Sequence, residues 1–335
     1  MSISYTDISV IVRGLVVGAG ENDERRKFTK RSLESVRRYL PGAEIILSTW
    51  KGSDVDGLHY DRVLFSDEPE RIEMAFADGR VKLVAANHQI ITSQSGLEHV
   101  QRKYALVMRS DMVLNDTGFL RYFVKYASSP PIGFLKHKIV VLPTYNPRRV
   151  PAPIYNVCDW MYFGYTEDVR AVFEIPLMTV DTLRGEKKGG YYQMEQNSES
   201  EQYIWSSFLR KYTAVHIPQF DAVSPRDIQL SEESYARHVI MLPAHKAGVQ
   251  CLKMPHAGYG ARPWLSQGLY TWNEYRRLCY RYSMHTTYVL PHIVEMIGYA
   301  SMLRMRNAIH QSMPGVYRSI VNMIRKAHGS FNLLK

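Results

Sequence analysis

The chain has 335 residues, 45% hydrophobic and 22% charged, with 42 lysines and arginines against 32 acids and a formal charge of +10. That length suffices for one large α/β domain or two small ones, and the composition excludes collagen-like, low-complexity and repeat classes. Cys158, Cys251 and Cys279 lie too far apart for a zinc pair or a disulfide scaffold and suit a reducing compartment.

The first residues lack the basic-then-apolar layout of a secretion signal. No apolar run approaches the roughly 18 residues of a spanning helix, so a cytoplasmic location is expected. The basic balance suits an anionic partner such as a sugar nucleotide or an anionic lipid surface. No recognisable nucleic-acid-binding motif accompanies the charge, and no nucleic-acid partner is expected.

In chain order, residues 7–14 form a short apolar run closed by Gly14, the first expected strand. Leu33, Val36 and Leu40 place a helix over 29–40, stopped by Pro41-Gly42. Residues 43–50 and 61–66 read as the second and third strands, 80–100 as a helix, and 103–109 as the next strand. Strands alternating with helices predict an α/β fold with a mostly parallel central sheet and helices on both faces. Ligands of such sheets sit beyond the carboxyl ends of the strands. Arg13-Gly14, Ser48-Thr49-Trp50 and Arg109-Ser110-Asp111 all fall at strand ends.

Past a Pro-rich loop, an apolar segment runs through 157–163 and carries Asp159, a buried-type polar residue that needs a partner or a role. Trp160 and Tyr162 could offer a platform for a sugar ring. Residues 184–200 read as a polar loop that orders with ligand. Ser198 and Glu201 read as a capping box opening a helix over 198–212. Residues 254–265 form a candidate lid. Between Met296 and Lys335 stand six basic residues and no acid. Val316, Tyr317, Ile320, Val321 and Ile324 share a helical face there, which predicts a basic amphipathic segment lying on an anionic membrane or packed on the body.

A carboxylate at a strand end can hold a hard divalent ion that also bridges diphosphate oxygens. GT-A glycosyltransferases use Asp-x-Asp for this; here Arg109 replaces the first acid and Asp111 remains. Arg109 could then neutralise the diphosphate directly, or the two could form an ordinary ion pair.

The stretches ISVIVRG (8–14), SVRRYLPGAEIILSTWKGSDVDGLHYD (35–61) and SGLEHVQRKYALVMRSDM (95–112) resemble the WavE family of lipopolysaccharide-synthesis proteins. VCDWMYFG (157–164) and SEQYIW (200–205) are similar to later family blocks. The resemblance implies a GT-A-like glycosyltransferase with a nucleotide-sugar half over about 1–115, an acceptor half over about 116–271, and a basic helical region over 272–335. The family carries Arg-Ser-Asp at the metal position and an Arg-Gln pair where this chain has His88-Gln89.

The resemblance implies a donor site of Arg13, Gly14, Ser48, Thr49, Trp50, Asn87, Gln89 and Arg109. Asp111 would ligate Mn or Mg, with His256 or His245 as a further ligand. Glu201, where a helix dipole favours an anion, is the expected catalytic base, with Glu199 and Asp159 as further candidates. Expected partners are a nucleotide-sugar donor, a glycan or lipid-linked oligosaccharide acceptor, and the inner face of the cytoplasmic membrane. The other class of reading is a catalytically inactive GT-A relative that binds glycan or membrane as a scaffold.

Overall fold

A computed structural model describes residues 3–18, 22, 27–75, 81–128, 133–148, 152–179, 185–188, 191–194, 199–218, 222–254, 268–282 and scattered positions between 301 and 319. Strand β1 (Ile8–Arg13) is followed by α1 (Phe28–Tyr39), β2 (Glu44–Trp50) and β3 (Arg62–Ser66). A hairpin of β4 (Ile72–Ala75) and β5 (Val81–Val84) precedes α2 (Ala86–Glu98), β6 (Tyr104–Arg109), β7 (Met112–Leu114) and α3 (Gly118–Tyr126). Next come β8 (Ile139–Val141), β9 (Met161–Tyr165), α4 (Thr166–Phe173), the hairpin β10 (Gly185–Lys188) and β11 (Tyr191–Met194), and α5 (Ser200–Arg210). Helix α6 (Pro225–His238), β12 (Val239–Met241), α7 (Ala244–Ala247), β13 (Val249–Cys251) and α8 (Trp272–Arg281) complete the described elements.

Seven strands form one sheet in the order β12-β8-β9-β6-β1-β2-β3. All pairs are parallel except those of β9, which runs antiparallel to both β6 and β8. Every residue of β1 is buried, both alternating sets, so both faces of the sheet centre are covered. Burial of each such Ile or Val contributes about 1.5–3 kcal/mol. Helix α2 comes close enough to β1 that a Cβ on Gly96 would collide with Ile11. The expected mostly parallel central sheet is therefore present, and strands from both halves of the chain build it.

Several local expectations change. The helix expected over 80–100 begins only at Ala86, because β-branched Val81 and Val84 pair with 72–75 instead. The polar 184–200 stretch, expected as a loop, contains the β10–β11 hairpin. Helix α5 starts at Ser200 with Glu199 at its N-cap, and Ser198 lies outside the described residues. Helix α8 packs on the body through buried Tyr275, Leu278 and Cys279, with the Tyr275 hydroxyl donating to Val239 O at 2.5 Å. Most of the tail beyond 282, and most of the candidate lid, lie outside the described residues. Among the described residues, no helix is long and apolar enough to cross a membrane.

Candidate functional site

The parallel strands β1, β2 and β6 end along one edge, where register pairs Arg13 with both Ser48 and Arg109. Because β9 runs the other way, it starts at that edge: Met161 pairs with Met108, and Arg109 N donates to Trp160 O at 3.2 Å. This reversal brings Asp159 and Trp160 beside strand ends that precede them by fifty residues or more. Partners across a ladder share a face, so Ile11, Val107 and Tyr162 point the same way, as do Arg13 and Ser48. That is the α2 side, where Ile11 meets Gly96.

Two guanidinium groups and two carboxylates gather here. Arg13, only 3% exposed, donates from Nη2 to Asp159 O at 2.6 Å and stands 3.9 Å from Asp159 Oδ2. Burial lowers the Arg13 pKa, against the attraction of Asp159. Arg109 grips Asp111 with two hydrogen bonds, Nε to Oδ1 at 3.0 Å and Nη2 to Oδ2 at 2.7 Å. Its guanidinium lies over the Trp160 ring, 5.4 Å from the centroid. Burial works to lower the Arg109 pKa, but the Asp159 charge and the Asp111 bonds outweigh it and push it up. Arg109 therefore stays cationic. The Asp111 side chain is 8% exposed. Its oxygens accept from a side chain, and each keeps a lone pair for another cation or donor.

The cluster is not closed. Arg13 Nε, Ser48 Oγ, Asp159 Oδ1 and Tyr162 Oη are buried with no hydrogen-bond partner among the described residues. Each buried unpaired polar atom costs about 1–3 kcal/mol, so these atoms are candidates for bonding to water or to a ligand group. Glu201 stands in the first turn of α5, near enough to Cys158 and Tyr162 for its charge to act on both. Burial pushes the Tyr162 hydroxyl and the Cys158 thiol well above their usual ranges, and Asp159 and Glu201 push both further.

The structure thus brings together Arg13, Ser48, Arg109, Asp111 and Asp159, with Gly14 beside them. Gly14 adopts φ +108°, a conformation that favours glycine, and donates to Ser48 O at 3.0 Å. Glu199 occupies the N-cap position of α5, two residues from Glu201. Other candidates have structural partners. Trp50 is buried and meets the His88 ring edge-on at 5.2 Å, so it packs in the core rather than presenting a stacking face. Asn87 donates to Met178 O and accepts from Met178 N, which uses both ends of its amide. Thr49 bonds Ser53 at 3.1 Å. Gln89 is half-buried, with Oε1 unpaired among the described residues. His245 is exposed on α7, and His256 lies outside the described residues.

Trp160, expected as a sugar platform, carries the Arg109 guanidinium instead. Sequence reasoning missed Cys158 and Cys251. Cys251 reaches the site because β13 pairs antiparallel with β7, and strands of three residues leave almost no local signal. Burial raises its pKa, and Asp111 adds to the rise.

A second acidic group lies at the other edge of the sheet. His137, Glu167 and Asp168 offer ligand atoms within 4.8 Å of one another. Asp168, however, already accepts from the backbone N–H groups of Lys136 and His137 at 2.8 and 3.2 Å. Glu167 pairs with Lys136 Nζ at 2.5 Å.

No curated protein matches the chain. Among solved structures, it is similar to a mannosyltransferase, PcManGT from Pyrobaculum calidifontis, in complex with GDP-Man and Mn2+ (14% identity, 95% of this chain and 83% of that one, TM-score 0.34). Another is HddC from Yersinia pseudotuberculosis complexed with GMP-PN (11%, 62% and 99%, TM-score 0.29). A third is 4-diphosphocytidyl-2C-methyl-D-erythritol synthase from Anaerococcus prevotii (14%, 54% and 83%, TM-score 0.31). The family model described as WavE lipopolysaccharide synthesis matches residues 8–297, and the chain belongs to that family.

Proposed function

We propose that this protein is a nucleotide-sugar-dependent glycosyltransferase that elongates or modifies a lipopolysaccharide core, O-antigen or capsular glycan at the inner face of the cytoplasmic membrane. The observation that carries the reading is the open cluster of Arg13, Arg109, Asp111 and Asp159 at the carboxyl edge, with four buried polar atoms unsatisfied. A donor diphosphate is the chemistry that such an edge suits.

In this reading Arg109 contacts the diphosphate, and the buried Arg13 holds Asp159 in place rather than touching the donor. Asp111 and the unpaired Oδ1 of Asp159 fit a divalent cation, because one has free lone pairs and the other lacks a partner. Mn or Mg bound there would supply positive charge to the leaving diphosphate. Glu201 takes the proton of the acceptor hydroxyl as its oxygen bonds the anomeric carbon, while the bond from that carbon to the diphosphate breaks with inversion.

The inactive-scaffold reading has one observation in its favour: Arg109 occupies both oxygens of Asp111. Thermal unfolding with UDP-, GDP- and CMP-sugars, with Mn, with Mg and with chelator, separates the two. The transferase reading expects one donor class to raise Tm by about 4 °C with metal at saturating concentration. If none does, the transferase reading fails.

A further inference from the structure

The basic face shared by α3 and α8 has no role in the proposed reaction. Helix α3 contains no acid, and it exposes Arg121, Lys125 and the apolar Val124, which is 44% exposed. Helix α8 exposes Arg277 and Tyr280, the latter 59% exposed. More than 140 residues separate these helices in sequence. Trp272, at the start of α8, joins them, meeting Tyr122 at 5.1 Å and Tyr126 at 5.6 Å between ring centroids.

Arg121 and Lys125 lie over those same tyrosine rings, at 5.2 Å each, one helical turn apart. The result is cations alternating with amphipathic rings. The nearby acids are already engaged. Asp116 Oδ1 accepts from Gly118 N at the start of α3, and Glu274 closes the capping box of α8. Glu232, on α6, which packs against α8, is buried and holds Arg148 through two hydrogen bonds.

We propose that this α3–α8 face docks the protein on an anionic phospholipid surface. Each Lys or Arg gains from the negative potential of such a surface, while tyrosine and tryptophan rings suit the boundary between headgroup and acyl chain. Exposed Val124 and Tyr280 add apolar area that water solvates poorly and the interface accepts. The proposal deepens the membrane-facing reading of residues 272–335, and it adds a helix from the middle of the chain that the reading did not include.

The test is co-sedimentation of the full chain with vesicles of phosphatidylglycerol and phosphatidylethanolamine, against vesicles of phosphatidylcholine alone. The proposal expects binding to the first only, lost on raising the salt, and weakened at least tenfold in the triple variant R121E/K125E/R277E. The matched variant R304E/R306E/R318E, in the tail, should lose less. If the α3–α8 variant binds like wild type while the tail variant loses everything, or if wild type ignores anionic vesicles, the proposal is overturned. A second measurement needs no variant: acylation of Lys125 should slow severalfold when anionic vesicles are present, and an unchanged rate overturns the proposal. Nucleotide-sugar binding should be unaltered in the triple variant, so failure here and failure of the transferase reading are distinguishable.

Discussion

The two edges of the central sheet each gather charged side chains, yet they differ in how far their hydrogen bonding is finished. At the amino edge, Asp168 is satisfied by two main-chain donors, and His238 bridges Phe134 N and Ser234 O at 2.9 Å each. At the carboxyl edge, Arg13, Ser48, Asp159 and Tyr162 retain buried atoms unpaired among the described residues, and a neighbouring guanidinium holds the Asp111 carboxylate. Proximity of acids alone would have favoured the amino edge, which has three potential ligands within 4.8 Å. Incomplete bonding picks out the carboxyl edge instead. A saturated carboxylate fixes the chain, whereas an unsaturated one awaits something.

The sharpest way to break this contrast is to remove a carboxylate from each edge. Asp111→Ala should abolish metal-dependent nucleotide binding and sugar transfer, at least a hundredfold by calorimetry. Asp111→Asn, which leaves Arg109 one acceptor, serves as the folded control. Transfer at the normal rate in Asp111→Ala would remove the metal assignment. Next in size, Glu201→Gln should keep nucleotide affinity within about twofold and lower turnover by about 10²–10⁴; normal turnover would place the base elsewhere.

The amino edge should answer in stability instead. Burial holds the His238 pKa down to about 4 from 6.5. Its Nε2 accepts the Phe134 N–H, so a proton there would face another donor. The unfolded chain takes up that proton below pH 6.5 and the folded chain does not. Stability should therefore be full above pH 6.5 and decline as pH falls toward 4, by about 3 kcal/mol for this group. Urea titrations across that range measure it, and a His238→Gln variant should show a flatter profile. The smallest effect belongs to Asp168→Asn, which turns an amide against the Lys136 and His137 N–H groups. It should cost about 2 kcal/mol of stability and leave nucleotide binding unchanged. Loss of nucleotide binding in that variant would erase the distinction between the edges.

Much of the sheet was legible locally. The runs at 8–13, 44–50 and 104–109 are mostly apolar and buried, with Arg13, Ser48-Thr49 and Arg109 at or near their carboxyl ends, and such runs report their own burial. The β4–β5 and β10–β11 hairpins were not legible, because their sequences mix polar, charged and apolar residues with no strict alternation. Trp50 and Asn87 show a different limit. A polar or aromatic residue at an element end looks the same in sequence whether it faces a cleft or, as here, a neighbouring ring or the Met178 backbone.

The sequence by itself determined that this is a basic α/β chain of the WavE family whose strands end in Arg13, Ser48 and Arg109-Ser110-Asp111, because hydrophobic period and residue identity are local properties. Only the tertiary structure decided that Asp159 joins Arg13, that the charge of Glu201 reaches Tyr162, and that Arg109 turns onto Asp111. The first of these depends on the antiparallel entry of β9 between two parallel strands. Strand direction is set by long-range pairing and packing, which no short stretch of sequence encodes.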